Sequence, residues 1–169
     1  MTQNRNKVTI YTDGSSRGNP GPGGYGVVLK TPEYRKELSG GFRKTTNNRM
    51  ELMGVIEGLK ALKRPCKVRI YSDSKYIVDA VNQGWARRWK ANNWKRNKKE
   101  KALNPDLWKQ LLNLLDTHDV EFVWVKGHAN NTENNRCDRL AVAAGRKPNL
   151  PADTAYENQD QEPKTPRLF

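Results

Sequence analysis

Two short segments of the chain end on a carboxylate in the same way. Val8-Thr-Ile-Tyr-Thr-Asp13 and Val68-Arg-Ile-Tyr-Ser-Asp73 each close a β-branched, alternating run with Asp, followed by Gly14 or Ser74. Alternation of this kind reads as strand, so each aspartate stands at a strand's C-terminal end. The period of two sets Asp13 on the face of Thr9 and Tyr11, opposite Val8 and Ile10. Two more acids lie in helical sequence: Glu51 in Asn-Arg-Met-Glu-Leu, and Asp138 in Asn135-Arg-Cys-Asp-Arg-Leu-Ala141. His128 follows a third strand-like run, Val120–Val125, in a Gly-His-Ala turn.

Singly, each has an ordinary explanation. Asn48-x-x-Glu51 matches a capping box, a lone helical acid is usually a surface residue, and a solitary loop histidine is usually incidental. The set reads differently. Crowded carboxylates repel by about 4 kcal/mol per pair at 4 Å with an effective dielectric near 20. The chain holds 31 Lys+Arg against 18 Asp+Glu, a net charge of +13, yet the one cation beside Asp13 or Asp73 in sequence is Lys75. An acidic cluster in a basic protein calls for hard cations, and Mg²⁺ takes oxygen ligands, few carboxylates and substrate phosphate. Two such ions ~3.5–4 Å apart activate a water and stabilise the leaving oxygen of a phosphodiester.

The elements that must position these acids alternate strand and helix. Strand-like pieces at Tyr25–Lys30 and Glu37–Phe42 are joined by a turn at Thr31-Pro32. A helix spans about Asn48–Leu62, with Leu52, Val55, Ile56, Leu59 and Leu62 at helical spacing and Pro65 closing the segment. Further helices are expected at Ser74–Val81, Asp106–Leu115 and Thr132–Ala144. This succession predicts an α/β layer fold with a partly parallel sheet, whose ligands gather outside the strands' carboxyl ends. The glycine-rich stretch Gly14–Gly26 contains G-x-G-x-x-G at Gly21, Gly23 and Gly26. Pro20, Pro22 and the strand that follows exclude a dinucleotide loop. The stretch reads instead as a tight strand connection whose backbone a bulky ligand can approach.

At 169 residues the chain suits one compact domain. No apolar run approaches the ~20 residues of a membrane span, and residues 1–7 lack the apolar region of a secretory signal. Cys66 and Cys137 are too few for a disulfide scaffold, so a reduced, cytoplasmic setting is expected. Charge divides the chain further. Residues 146–169 balance to zero, hold Pro148, Pro151, Pro163 and Pro166, and show no apolar period. They read as an extended or disordered tail beyond a domain of residues 1–145. Within that domain, Arg87, Arg88, Lys90, Lys95, Arg96, Lys98, Lys99 and Lys101 face Glu100 alone over residues 85–101, interleaved with Trp85, Trp89 and Trp94. That mixture fits a basic protrusion lying along a polyanion, and nucleic acid suits it better than a membrane surface. Trp85 and Trp89, spaced i,i+4, also fit inward packing.

Tyr-Thr-Asp13-Gly-Ser…Gly-Asn-Pro-Gly-Pro-Gly-Gly-Tyr-Gly, Thr-Thr-Asn-Asn-Arg-Met-Glu51-Leu, Ser-Asp73-Ser and Trp-Val-Lys-Gly-His128-Ala…Asn-Arg-Cys-Asp138 together resemble bacterial ribonuclease HI, the type 1 RNase H family. The likeness covers about residues 7–145, in family order. It implies a ribonuclease H-like fold: a five-stranded mixed sheet flanked by helices, with a basic helical protrusion. It further implies that Asp13, Glu51, Asp73 and Asp138 ligate two Mg²⁺, for which Mn²⁺ can substitute, and that His128 assists proton transfer or product release. The implied reaction is hydrolysis of the RNA strand of an RNA/DNA hybrid, leaving 5′-phosphate and 3′-hydroxyl ends. By the same resemblance Gly14, Ser15, Asn19, Asn47, Asn48 and Lys75 contact the RNA strand, and Lys44, Thr46, Trp85 and Asn104 the DNA strand. A monomer is expected. Departures from the family pattern are Lys75 in place of a common Gln, Asn130-Asn131-Thr132 in place of a glycine-rich loop, and Asn135 in place of an acid. Two other functions fit the same residues: a non-catalytic hybrid-binding module, and a nuclease domain of a mobile element.

Overall fold

The computed structural model describes residues 6–98, 100–127 and 131–159. The chain opens with β1 (Lys7–Ser16), β2 (Gly21–Lys30) and β3 (Arg35–Thr45), continues through α1 (Asn47–Lys60) and β4 (Lys67–Ser72), and then turns mostly helical. There α2 (Lys75–Asn82), α3 (Trp85–Ala91) and α4 (Pro105–Thr117) precede β5 (Asp119–Trp124), α5 (Thr132–Gly145) and α6 (Thr154–Glu157). The strands form one sheet in the order β3-β2-β1-β4-β5, antiparallel across β3-β2-β1 and parallel across β1-β4-β5. The expected five-stranded mixed sheet is therefore present.

Helix α1 lays Leu52, Val55, Ile56 and Leu59, all fully buried, on one face of the sheet, where they join Ile10, Val27, Val68 and Ile70. Helix α5 covers the other face of β1, β2 and β3. It can do so because Gly24 and Gly26 carry no side chain: a Cβ at either would overlap the α5 backbone at Ala141 or Cys137. The glycine-rich stretch is thus not one long connection. β1 runs to Ser16 and β2 resumes at Gly21, so several of its glycines are strand residues that admit a helix.

Two other expectations need correction. The basic protrusion is helical over Trp85–Ala91 only; Asn93 and Trp94 then adopt positive φ, and a single bridge pairs Lys95 with Lys101. Repulsion among its cations offers no reason for a longer helix, and Trp89 instead anchors the segment by packing on Tyr76 and the fully buried Trp108. The stretch from residue 146 is also no free tail as far as it is described. The Arg43 amide donates to the Pro151 carbonyl, α6 forms, and Asp153 is buried against Arg49 and Thr45. Its balanced charge reflects acids whose partners lie earlier in the chain: Asp153 pairs with Arg49 and Glu157 with Arg43. Residues 160–169 lie outside the described residues.

Candidate active site

The parallel pairing of β1 with β4 ends at Tyr11 and Tyr71, whose rings stack 5.2 Å apart. Two residues beyond each come Asp13 and Asp73, so the repeated strand motif delivers both carboxylates to the point where the strands part. Asp13 pairs across β1–β2 with Gly26, on the face covered by α5. Glu51 arrives from the helix of the opposite face. Its approach depends on Gly14, where any Cβ would overlap the backbone of Met50 and Glu51.

One carboxylate oxygen from each of Asp13, Glu51 and Asp73 lies within 4.8 Å of the other two. Asp13 is 5 % and Glu51 7 % exposed. The Gly14 amide donates to Asp13 Oδ1 at 2.9 Å, while Glu51 Oε2 is buried with no hydrogen-bond partner among the described residues. Burial pushes Asp13 up to about 7, the charge of Asp73 adds to this, and hydrogen bonds from Glu51 and Gly14 offset part of it. Burial, then Asp13 and Asp73, hold Glu51 well above its ordinary value. A buried acceptor without a donor is costly. Three hard oxygen donors, one of them orphaned, fit a hard divalent cation.

Glu51 is not a cap. The N-cap of α1 is Thr46, whose Oγ1 accepts from the Arg49 amide at 3.2 Å, and Glu51 is the fifth helical residue. Of the four acids singled out, the structure gathers three within ligand distance of one another. Asp138, half-buried on α5, stands outside that group but near enough for its charge to raise Asp13. His128 and Lys99 lie outside the described residues.

The expected substrate contacts fall on two frames. At the start of α1, Asn47 Oδ1 accepts from the Ser16 amide at 2.9 Å and Asn19 Oδ1 accepts from the Asn47 amide at 3.1 Å, with Asn48 exposed beside them. Gly14 and Ser15 continue the same edge. Arg49 connects this frame to Asn104, whose Oδ1 accepts from the Arg49 guanidinium at 3.3 Å, while Lys44 is exposed at the end of β3. Trp85 opens the second frame, where it lines a concavity with Arg88, Trp89, Lys95 and Arg96. Of the protrusion's other cations, Arg87 pairs with Asp116, whereas Lys90 and Lys98 form no ion pair among the described residues.

The sequence did not point to Trp124. It is 42 % exposed, donates its indole N–H to the Asp73 carbonyl at 3.2 Å, and carries Lys75 Nζ 5.5 Å from its ring centroid. Arg49 belongs to no motif of its own, although positions 49, 52, 56 and 59 share one helical face, which is a readable sign that it points inward.

The RNase H family model matches residues 5–146. A ribonuclease H of Trichodesmium erythraeum (strain IMS101) is 61 % identical over 157 residues, spanning 93 % of this chain and 100 % of that protein. A ribonuclease HI of Synechocystis sp. (strain ATCC 27184 / PCC 6803 / Kazusa) is 58 % identical over 152 residues, spanning 89 % and 95 %. Among solved structures, LC9-RNase H1, described as a type 1 RNase H with the type 2 active-site motif, superposes with TM-score 0.73 at 34 % identity, covering 83 % of this chain and 72 % of that one. LC11-RNase H1 in complex with an RNA/DNA hybrid gives TM-score 0.63 at 26 % identity, covering 81 % and 95 %.

Proposed function

The chain belongs to the RNase H family, and on that premise we propose that it is an endonuclease hydrolysing the RNA strand of RNA/DNA hybrids, with 5′-phosphate and 3′-hydroxyl products. The observation that carries this reading is the three-carboxylate cluster of Asp13, Glu51 and Asp73, with a buried oxygen left without a donor. A protein that only bound hybrids would gain by losing these charges near phosphate.

Asp13, Glu51 and Asp73 would hold Mg²⁺, with Asp138 approaching from α5 to complete a site for two ions; Mn²⁺ can replace Mg²⁺. When bound, such ions lower the pKa of a water and stabilise charge on the leaving oxygen. The protein's own residues do the rest. Burial and mutual repulsion raise both Asp13 and Glu51 in the ion-free site, so cation capture would be linked to proton release from this pair of carboxyls. The Gly14 and Ser15 backbone, with Asn19, Asn47 and Asn48, offers small amides and close main chain to ribose 2′-hydroxyls, which separates RNA from DNA without reading sequence. Lys75, on the rim beside Asp73, would meet the same strand. Lys44, Thr46, Asn104 and Trp85 would engage the DNA strand, and the cations of residues 87–99 its phosphates. His128 would move a proton or speed product release. Among the described residues no helix is long and apolar enough to cross a membrane. A monomer working in the cytoplasm fits this reading.

The test is cleavage of a strand-labelled RNA/DNA hybrid with Mg²⁺, beside Asp13→Asn and matched duplex DNA. Cleavage of the RNA strand alone, lost in the variant while hybrid binding persists, supports the proposal. Binding without turnover by the unmodified protein supports the binding-module alternative. Equal cutting of duplex DNA supports a mobile-element nuclease.

A further inference from the structure

Asp13 and Asp73 can hold an ion between them only if the parting of β1 from β4 stops at a fixed separation. Parallel pairing ends at Tyr11 and Tyr71. Past that point the main-chain carbonyls at the fork need donors, because buried acceptors are otherwise costly. One side chain reaches a carbonyl on each of the two strands. Asn134 on α5 is 3 % exposed, and its Nδ2 donates to the Thr12 carbonyl and to the Tyr71 carbonyl, each at 3.4 Å. These carbonyls immediately precede Asp13 on β1 and lie two residues before Asp73 on β4.

The amide has one usable orientation. Its NH₂ group faces two acceptors, and its Oδ1 is buried with no partner among the described residues, so the donors alone justify its place. Its helix is fixed at the same point: the Asn131 side chain caps α5 by accepting from the Asn134 amide at 3.1 Å. Asp138 follows Asn134 by one turn, so a residue that ties α5 to both strands also sets where Asp138 stands. Cys137 gives an internal contrast. Its Sγ donates to the Tyr11 carbonyl at 3.2 Å, on β1 alone, and does not bridge to β4.

We propose that Asn134 is a positioning residue that holds the β1–β4 fork at the spacing needed for Asp13 and Asp73 to share an ion. This deepens the reading of the site given above and rests on it. The amide spends its donors on main-chain carbonyls, so it acts through the backbone of the segments that carry the ligands. Residues one step removed from a metal commonly change its affinity by about 10- to 100-fold when altered.

The test compares Asn134→Ala, Asn134→Ser and Cys137→Ala with the unmodified chain. Mg²⁺ is titrated into substrate-free protein and followed through the Gly14 backbone amide by NMR, and hybrid cleavage is measured against Mg²⁺ concentration. Asn134→Ala is expected to weaken Mg²⁺ binding about tenfold or more and to lower kcat with KM for the hybrid nearly unchanged. Asn134→Ser, which keeps one donor, should fall between and carries the test if Asn134→Ala does not fold. Cys137→Ala should lower the melting temperature while leaving Mg²⁺ affinity in place. Unchanged Mg²⁺ affinity in a folded Asn134 variant, or an equal loss in Cys137→Ala, overturns the proposal. Failure of the unmodified chain to cut hybrids would instead sink the functional reading, since the ion titration needs no substrate.

Discussion

Arg49 and Glu51 lie two residues apart on α1, both buried and both ionisable, yet their surroundings are opposite. Arg49, 2 % exposed, donates to both carboxylate oxygens of Asp106 at 2.8 and 2.9 Å and to both of Asp153 at 2.7 and 3.0 Å. Glu51 faces two carboxylates of its own sign and leaves an oxygen with no donor. One charge is fully answered from within the protein and ties α1 to α4 and to the segment before α6. The other is left open to be answered by something that binds. The difference teaches how to tell structural from functional charge: by the partners brought to the group, since burial is similar for both.

The largest effect should follow removal of the open charge. Asp13→Asn or Glu51→Gln is expected to lower kcat by at least about 10²-fold, since several kcal/mol of ion-mediated stabilisation are lost at 1.36 kcal/mol per decade. The same change relieves repulsion, so the ion-free protein should melt higher; steady-state kinetics and calorimetry check the two halves. A variant that both cuts and melts like the original would break the contrast.

Arg49→Met should do the reverse. Removing one member of a buried ionic cluster costs about 3–5 kcal/mol, or a melting temperature lower by roughly 10 °C at about 2–4 °C per kcal/mol. Because Arg49 also touches Asn104, some rise in KM is expected, with Mg²⁺ affinity kept.

pH separates the two regions by sign. Asp13 is raised to about 7 in the fold, so between about pH 4 and 7 the folded ion-free protein keeps a proton that the unfolded chain has released. Stability from this group therefore falls as pH rises through that window, and Mg²⁺ should flatten the fall. Burial pushes Asp106 up, but the hydrogen bonds and charge of Arg49 outweigh it and hold the carboxyl below its ordinary value. Its contribution is present above the unfolded value and lost as the medium is acidified through the folded one. Thermal melts from pH 3 to 8, with and without Mg²⁺, would show both slopes; a Mg²⁺-independent profile near neutrality would remove Asp13 from the ligand set.

The smallest effect extends the contrast to the surface. Arg87 is paired with Asp116 and Arg96 with Glu100, whereas Lys90, Lys95 and Lys98 form no ion pair among the described residues. Replacing the unpaired lysines should raise KM by a few-fold and reduce the salt slope by about 1 for each phosphate no longer neutralised, with kcat nearly unchanged. An equal response from Arg87 alone would show that pairing does not separate the two roles.

Much of this was legible in the chain. The alternation of Val8–Asp13 and Val68–Asp73 gave strand, face and the carboxylate at each end, because side-chain direction follows from a period of two. Helix α1 was legible from Leu52, Val55, Ile56 and Leu59 for the same kind of reason. The ordinary capping explanation of Glu51 could not be dismissed from Asn48-x-x-Glu51 alone, because Thr46 and Asn48 are both able caps, and only the backbone of Thr46, extended at φ −124 and ψ 162, selects one. The segment from residue 146 misled because prolines and balanced charge look the same whether a stretch is solvated or packed; its acids have partners 104 and 114 positions away.

Local chemistry, then, is written in the order of residues: which groups can ligate, which stretches alternate, where the cations mass. What the order does not contain is the distance between groups far apart along it. That Asp13, Glu51 and Asp73 converge while Asp138 stands a step back, that Arg49 closes on Asp153, and that Asn134 bridges two strands are all results of α1 and α5 settling on opposite faces of one sheet. Packing is set by the sum of many weak, non-local contacts, and no single stretch of the chain carries that sum.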